Sequence, residues 1–266
     1  MKRTGRSRRS WDRRRARTRS DVFLGVAGLA ASFACSPAEK ENAYVVGASS
    51  SGVPFTFLDV QSSSPRGIMV DIVRAVGEDA GFPVEVRMLP FNALIPSLTS
   101  GRIRLIAAAM VITEARREIV DFSDPVYSYG EALIVPASDR TGYRTLEELK
   151  GKVVGAQVGT VYIDALQESG LFPEVKVYDS IADILRDVGV GRIEAGFGDH
   201  PIVSYQLGLG THPEARLVES YEPRIVGSIG IGVRKGDEEL LARINQSLAR
   251  LKENGTIDKI LAGWHL

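Results

Sequence analysis

Residues 108–127, AAMVITEARREIVDFSDPVY, join a short apolar run to a cation that nothing in the segment clearly neutralises. Thr113 has the character of a helix N-cap: its hydroxyl can accept from the backbone N–H of Arg116, and Glu114 suits the positive end of a helix. In open α/β sheets, ligands collect at the carboxyl ends of strands. A carboxylate placed there would meet free backbone N–H groups and the bidentate fork of Arg116. The plainer alternative is a surface ion pair of Arg116 with Glu118 or Asp121. Asp199 closes the apolar strand IEAGFGDH, either as a second binding group or as an ordinary turn acid. His200, His212 and His265 are dispersed, and no phosphate loop appears, so neither a metal centre nor a cofactor is expected.

The elements that must position these groups alternate between strand and helix. AYVVGAS (43–49) is β-rich, and SSGVPFTFLDV carries the Gly, Pro and Ser of a loop. GIMVDIVRAVGEDAGF (67–82) has helical spacing closed by Gly81, and PVEVRML (83–89) alternates as a strand. A short helix in PFNALIPSLTSG then precedes IAAAM, which reads as a strand covered on both faces. This order is that of a parallel sheet wound by right-handed crossovers. EALIVPAS (131–138) reads as a connector, and TLEELKGK (145–152) as a short helix with Thr145 as N-cap and Glu148 at the capping-box position. VVGAQVGTVYIDALQESG, EVKVYDS, IADILRDVGVGR and IEAGFGDH repeat the strand–helix layout. DEELLARINQSLARLKENG is the most helical stretch, with Leu240, Leu241, Ile244, Leu248 and Leu251 on one face.

Length and charge bound the possible roles. The 266 residues suffice for two lobes of ordinary size. Ten of the 33 Lys and Arg residues fall within 1–34, against two of the 33 acids, leaving 23 basic and 31 acidic residues beyond them. An acidic body argues against nucleic acid as a partner. A basic region followed by an apolar run from Val22 to Ala34 has the layout of an export signal, and the run is too short to span a bilayer. Ser7-Arg8-Arg9 resembles a twin-arginine signal set well ahead of that run. Cys35, the single cysteine, excludes an intrachain disulfide. Its surroundings, SFA before and the polar tether SPAEKEN after, resemble a lipoprotein cleavage site, although Ser32 and Phe33 fit that pattern poorly.

From about Tyr44 to Trp264 the chain resembles the polar amino-acid-binding proteins of bacterial ABC importers. The marks are LIPSLTSGRIRLI, ITEARREIVDFSDPVY, LEELKGKVVGAQVGT, DSIADILRDVGVGRIEAGFGD and LKENGTIDKILAGWHL. The resemblance implies an α/β, two-lobed clamshell, each lobe a βα-wound sheet. Residues 1–34 would be the export signal and 35–42 a tether. Lobe one would comprise 43–132 plus 230–266, and lobe two 137–226, with strands crossing near 132–136 and 227–231. The ligand would be a small amino acid or related zwitterion, gripped between lobes and passed to a membrane permease. The protein would be a monomer, exported to the periplasm or held by lipid at the outer face of a bacterial membrane.

By the same resemblance, Arg116 takes the ligand carboxylate and Asp199 its ammonium. Phe91 forms a side-chain wall, Ala109, Val111, Gln157, Thr160 and Val161 line the site, and Thr160 and Val161 offer N–H groups at a helix start. Three departures stand out. Gly52 replaces a stacking aromatic, Val111 replaces a hydroxyl residue, and Ile68-Met69 replaces Phe-Asp. They imply a roomier, less polar pocket, with a larger or more apolar side chain or a small organic acid as further options. An enzyme similar to the periplasmic cyclohexadienyl dehydratases is the competing reading. It needs a carboxylic acid in the cleft with a raised pKa, for which Glu114 and Glu131 are the candidates. A sensor domain of a signalling protein is a third.

Overall fold

In a computed structural model, residues 43–266 apart from His265 are described. The leader, the tether, Cys35 and Ser7-Arg8-Arg9 lie outside the described residues. Strand β1 (Tyr44–Ser49) leads into a hairpin of β2 (Phe57–Asp59) and β3 (Ser64–Arg66). Helix α1 (Ile68–Ala80) follows, its Ile68, Ile72, Val73 and Val76 fully buried, and Gly81 ends it in the left-handed region at φ 78°. Next come β4 (Val84–Leu89), a 3₁₀ turn over Phe91–Ala93, α2 (Leu94–Thr99), β5 (Leu105–Ile106), α3 (Glu114–Arg117) and β6 (Val120–Phe122).

The long strand β7 (Tyr127–Pro136) leads to β8 (Val153–Gln157), α4 (Val161–Glu168) and β9 (Glu174–Tyr178). Then follow α5 (Ile181–Gly189), β10 (Ala195–Asp199), α6 (His200–Gly208), β11 (Ala215–Leu217) and β12 (Val226–Ile229). The chain closes with β13 (Gly232–Arg234), α7 (Glu238–Glu253) and α8 (Thr256–Gly263).

The protein is a two-lobed α/β clamshell built on two main sheets. The first has the order β4-β1-β5-β13-β6, in which β1 runs parallel to β4 and β5 while β13 is antiparallel to its neighbours. The second has the order β11-β7-β10-β8-β9, with β12 paired to β7. Strand β7 serves two partners in turn. Tyr127–Gly130 pair with β12 as a two-stranded ribbon, and residues 131–136 pair with β10 and β11 inside the second sheet. The run read as a connector is therefore the inner half of a buried strand, and residues 132–136, expected to cross between lobes, belong to the second sheet. The apolar EALIV, with Ala132 to Val135 at 0–2% exposure, is what buries it there. The ribbon admits no side chain at Gly227, where a Cβ would lie 2.3 Å from Val111 Cγ1.

Two short elements also differ from expectation. Residues 146–149 form a 3₁₀ turn, and Glu148 accepts from the Arg144 N–H at 2.7 Å, so the Thr145 capping box does not form. In IAAAM, only Ile106 belongs to a ladder. Ala107 to Val111 stay buried but leave the sheet for the cleft, regaining a bridge where Val111 meets Ile229. Helix α7 is capped by Asp237 and lays Leu240, Ile244, Leu248 and Leu251 against α1, each contributing roughly 2 kcal/mol when fully buried. Among the described residues, no helix is long and apolar enough to cross a membrane.

Candidate functional site

The Thr113 hydroxyl accepts from the Arg116 N–H at 3.2 Å, so the expected N-cap forms and the four-residue α3 begins there. This short turn swings the guanidinium away from the surface acids. Glu114 lies 3.9 Å from Arg117, and Asp121 is taken by Lys235 at 2.7 Å. Arg116 instead lines a small cavity with Phe91, Ala109, Val111, Thr160, Val161, Tyr162 and Asp199. Seven of the eight sequence-predicted residues thus meet in one place, drawn from both lobes.

Arg116 is held by backbone oxygens. Its Nη1 donates to the Val111 carbonyl, and its Nη2 donates to the Gly159 carbonyl of the other lobe at 2.9 Å. Its Cζ lies 6.0 Å from the centroid of the Phe91 ring, at the outer limit of a cation–π contact. Two of five N–H donors are thereby used, which leaves enough for a carboxylate. Burial lowers the pKa of this guanidinium below its ordinary value, while the Tyr129 and Asp199 anions would oppose that shift.

Asp199 begins α6 without capping it; its Oδ1 accepts from the Tyr162 hydroxyl at 2.7 Å. The ordinary turn-acid reading is therefore replaced by an acid turned into the cavity. Although the residue keeps partial surface exposure, its carboxyl sits in dense surroundings, and desolvation raises its pKa to about 6. The hydrogen bond from Tyr162, the nearby Tyr129 hydroxyl and the charge of Arg116 work the other way. Burial, reinforced by the Asp199 charge, drives both tyrosine pKa values well above normal, so both hydroxyls remain donors at neutral pH. The side-chain hydrogen bonds of Arg116 and Asp199 go to other groups, and among the described residues no cluster of three or more His, Cys, Asp or Glu suited to a metal occurs.

Gln157 is the predicted lining residue that the cavity lacks. Its side-chain amide donates to Ser51 Oγ at 3.0 Å and to the Asp179 carbonyl at 2.9 Å, which makes it a tie between lobes. The Thr160 N–H and hydroxyl are both spent on the Gln157 carbonyl, at 3.2 and 2.7 Å, so Thr160 does not offer the free N–H expected of it. Val161, first in α4, has no intrahelical acceptor for its N–H. The sequence reading missed Tyr129 and Tyr162. Tyr129 donates to the Ala109 carbonyl at 2.9 Å and shares a strand face with Tyr127 and Glu131, a period-2 signal that was present in YSYGE. At Gly52, the place of the missing aromatic is bordered by the other lobe: Ile202 Cδ1 lies 3.8 Å from where a Cβ would stand.

The acids expected to serve a dehydratase lie elsewhere. The Glu114 side chain is 95% exposed, and Glu131 is buried with both oxygens engaged by the Tyr221 hydroxyl and the N–H groups of Arg224 and Ile225.

With this geometry in view, comparison with known proteins is informative. The chain is 31% identical over 246 residues to ABC transporter arginine-binding protein 1 of Escherichia coli (strain K12), covering 91% of this chain and 98% of that protein. It is 26% identical over 226 residues to the L-cystine-binding protein TcyJ of the same organism, covering 85% of this chain and 84% of that one. Among solved structures, an ancestral arginine-binding protein bound to arginine superposes with a TM-score of 0.77 at 31% identity, covering 85% of this chain and all of that one. Residues 44–266 match the model of the bacterial extracellular solute-binding proteins, family 3, and the chain belongs to that family.

Proposed function

We propose that this protein is the receptor of an ABC importer and binds the zwitterionic end of an amino acid between its lobes. One observation carries the reading: a guanidinium from one lobe and a carboxyl from the other line the same cavity, each hydrogen-bonded to other groups. Arg116 takes the ligand carboxylate, with the Val161 N–H beside it, and Asp199 takes the ammonium. Phe91 forms a wall, and Ala109 and Val111 line the carboxylate end without contributing a hydroxyl. The lobes, 43–126 with 230–266 and 131–225, rock about the ribbon of β7 and β12, and Gln157 ties them when they meet. Closure removes water from both charges, which strengthens each contact.

The chain is exported and acts as a monomer at the outer face of a membrane, tethered through Cys35 or released after cleavage near it, and it hands its cargo to a permease. A thermal-shift screen across amino acids, polyamines and small organic acids, repeated with Arg116→Ala, tests the reading, because a ligand bound only by the folded state raises the melting temperature. Equal shifts in the parent and the arginine variant would move the site elsewhere.

The raised pKa of Asp199 favours one second reading, in which this acid protonates a leaving hydroxyl of a cyclohexadienyl substrate. Incubation with prephenate or arogenate decides between them: the receptor reading expects no turnover, and turnover abolished by Asp199→Asn would replace it.

A further inference from the structure

The two ends of the first sheet differ in chemistry. Its parallel strands deliver Phe91 and Ala109 to the cleft from their carboxyl ends, whereas arginine gathers at their amino ends. Arg102 and Arg104 lead into β5, and Arg234 ends the antiparallel β13. The register that pairs Val233 with Leu105 brings Arg234 beside Arg104. All three line one open recess with Tyr44, Val45 and Gly101. An Arg234 nitrogen lies 2.8 Å from where a Cβ at Gly101 would stand, so the bare turn makes room for that guanidinium. Arg104 is engaged: its Nη2 donates to Asp237 at 3.3 Å, and its Cζ lies 4.9 Å from the centroid of the Tyr44 ring. Among the described residues, the exposed Arg102 and Arg234 pair with no carboxylate, although Glu238 and Glu239 follow Asp237 in α7. Like charges side by side on adjacent strands weaken a fold, and a single acid offsets three cations here.

We propose that this recess is a docking surface for the anionic phospholipid headgroups of the membrane that carries the protein. The inference rests on the tethering through Cys35 proposed above. The recess opens at Ala43 and Tyr44, where the tether ends, and residues 35–43 span at most about 30 Å, so an anchor at Cys35 keeps the arginines within reach of lipid. A guanidinium meets a phosphate with two parallel hydrogen bonds. Beyond residue 34 the chain holds 23 basic against 31 acidic residues, so an anionic surface repels it except where cations gather. Tethering supplies the effective concentration that a few exposed charges lack. Docking by the amino ends of the strands turns the cleft away from lipid, toward arriving solute.

The test couples the chain beginning at Cys35, through its only thiol, to a maleimide phospholipid in bilayers, so that natural acylation is not required. Bilayers of phosphatidylcholine alone are compared with phosphatidylcholine mixed with phosphatidylglycerol, and arginine labelling by phenylglyoxal is read residue by residue by mass spectrometry. On the anionic bilayer, labelling of Arg102 and Arg234 should slow by about fivefold, the scale of one basic residue at such a surface, and recover in molar salt. Arg140, exposed in the second lobe, should label equally on both bilayers. Arg102→Glu combined with Arg234→Glu should abolish the protection of Arg104. Arg140→Glu combined with Lys150→Glu makes the same change in net charge in the other lobe and should leave that protection intact.

Equal labelling of Arg102 and Arg234 on the two bilayers overturns the inference, as does loss of the Arg104 protection in the second-lobe pair, which would make net charge the cause. Protection by inorganic phosphate on the neutral bilayer, as strong as that by phosphatidylglycerol, overturns the assignment to a headgroup. An amino-acid-induced thermal shift that persists while protection fails would remove the docking surface alone and leave the receptor reading standing.

Discussion

The two charged ends of the cavity are built differently. Arg116 takes its contacts from carbonyls of both lobes, Val111 in one and Gly159 in the other, so its full geometry exists only when the lobes meet. Asp199 takes its hydrogen bond from Tyr162 within its own lobe, while Arg116 and Tyr129 act on its charge from across the cleft. The cation therefore reports closure, and the anion sets the chemistry of what is enclosed.

Several measurements would break or sharpen this contrast. Arg116→Ala removes a charge-assisted fork from a desolvated site and should cost about 3 kcal/mol or more of ligand affinity by calorimetry. Asp199→Asn should cost about 2 kcal/mol for a zwitterion, the scale of a hydrogen bond to a charged group, and little for a carboxylate without an amine. Equal losses for both ligand types would dissolve the distinction between the two ends.

The pH profile gives the next effect. An ammonium requires ionised Asp199, whose pKa is raised to about 6 when the lobes are together and no ligand is bound. Zwitterion affinity should thus be level above that pH and fall by up to about tenfold per unit below it, with proton release on binding. Asp199→Asn should flatten this profile, while Arg116→Ala should keep its shape and move it to higher pH, because the guanidinium lowers the Asp199 pKa.

Closure can be weakened from the lobe faces. Gly159 has φ 76°, and a Cβ there would lie 3.1 Å from the Asn92 Cα, so Gly159→Ala should cost about 1 kcal/mol or more and reduce affinity without altering the pH profile. Gln157→Ala should cost at most about 1 kcal/mol through the lost tie to Ser51. Both are best read as a shift of the open–closed balance by small-angle scattering at fixed ligand.

What was legible in the sequence follows this division. Thr113 and Arg116 are three residues apart, and a cap is a local event, so the pattern alone placed the guanidinium at the start of a helix. The β-rich composition of β1, the alternation in β4 and the leucine face of α7 were equally local. Tyr162 and Asp199 stand 37 residues apart, and their contact depends on which strands neighbour one another. The extent of β7 was hidden because a strand that serves two sheets reads, residue by residue, like a connector with a buried end. The Gln157 tie depends on the approach of Ser51 across 106 positions, which no spacing announces.

The pairing of β7 with β10 sets Glu131 directly opposite Asp199, so their side chains leave the sheet on the same face. Two neighbouring carboxylates so placed would ordinarily invite a calcium or magnesium ion. Here a phenol and two main-chain amides occupy the oxygens of Glu131, leaving a single oxyanion facing the cleft. The second lobe thus turns one negative charge, not two, toward the cleft.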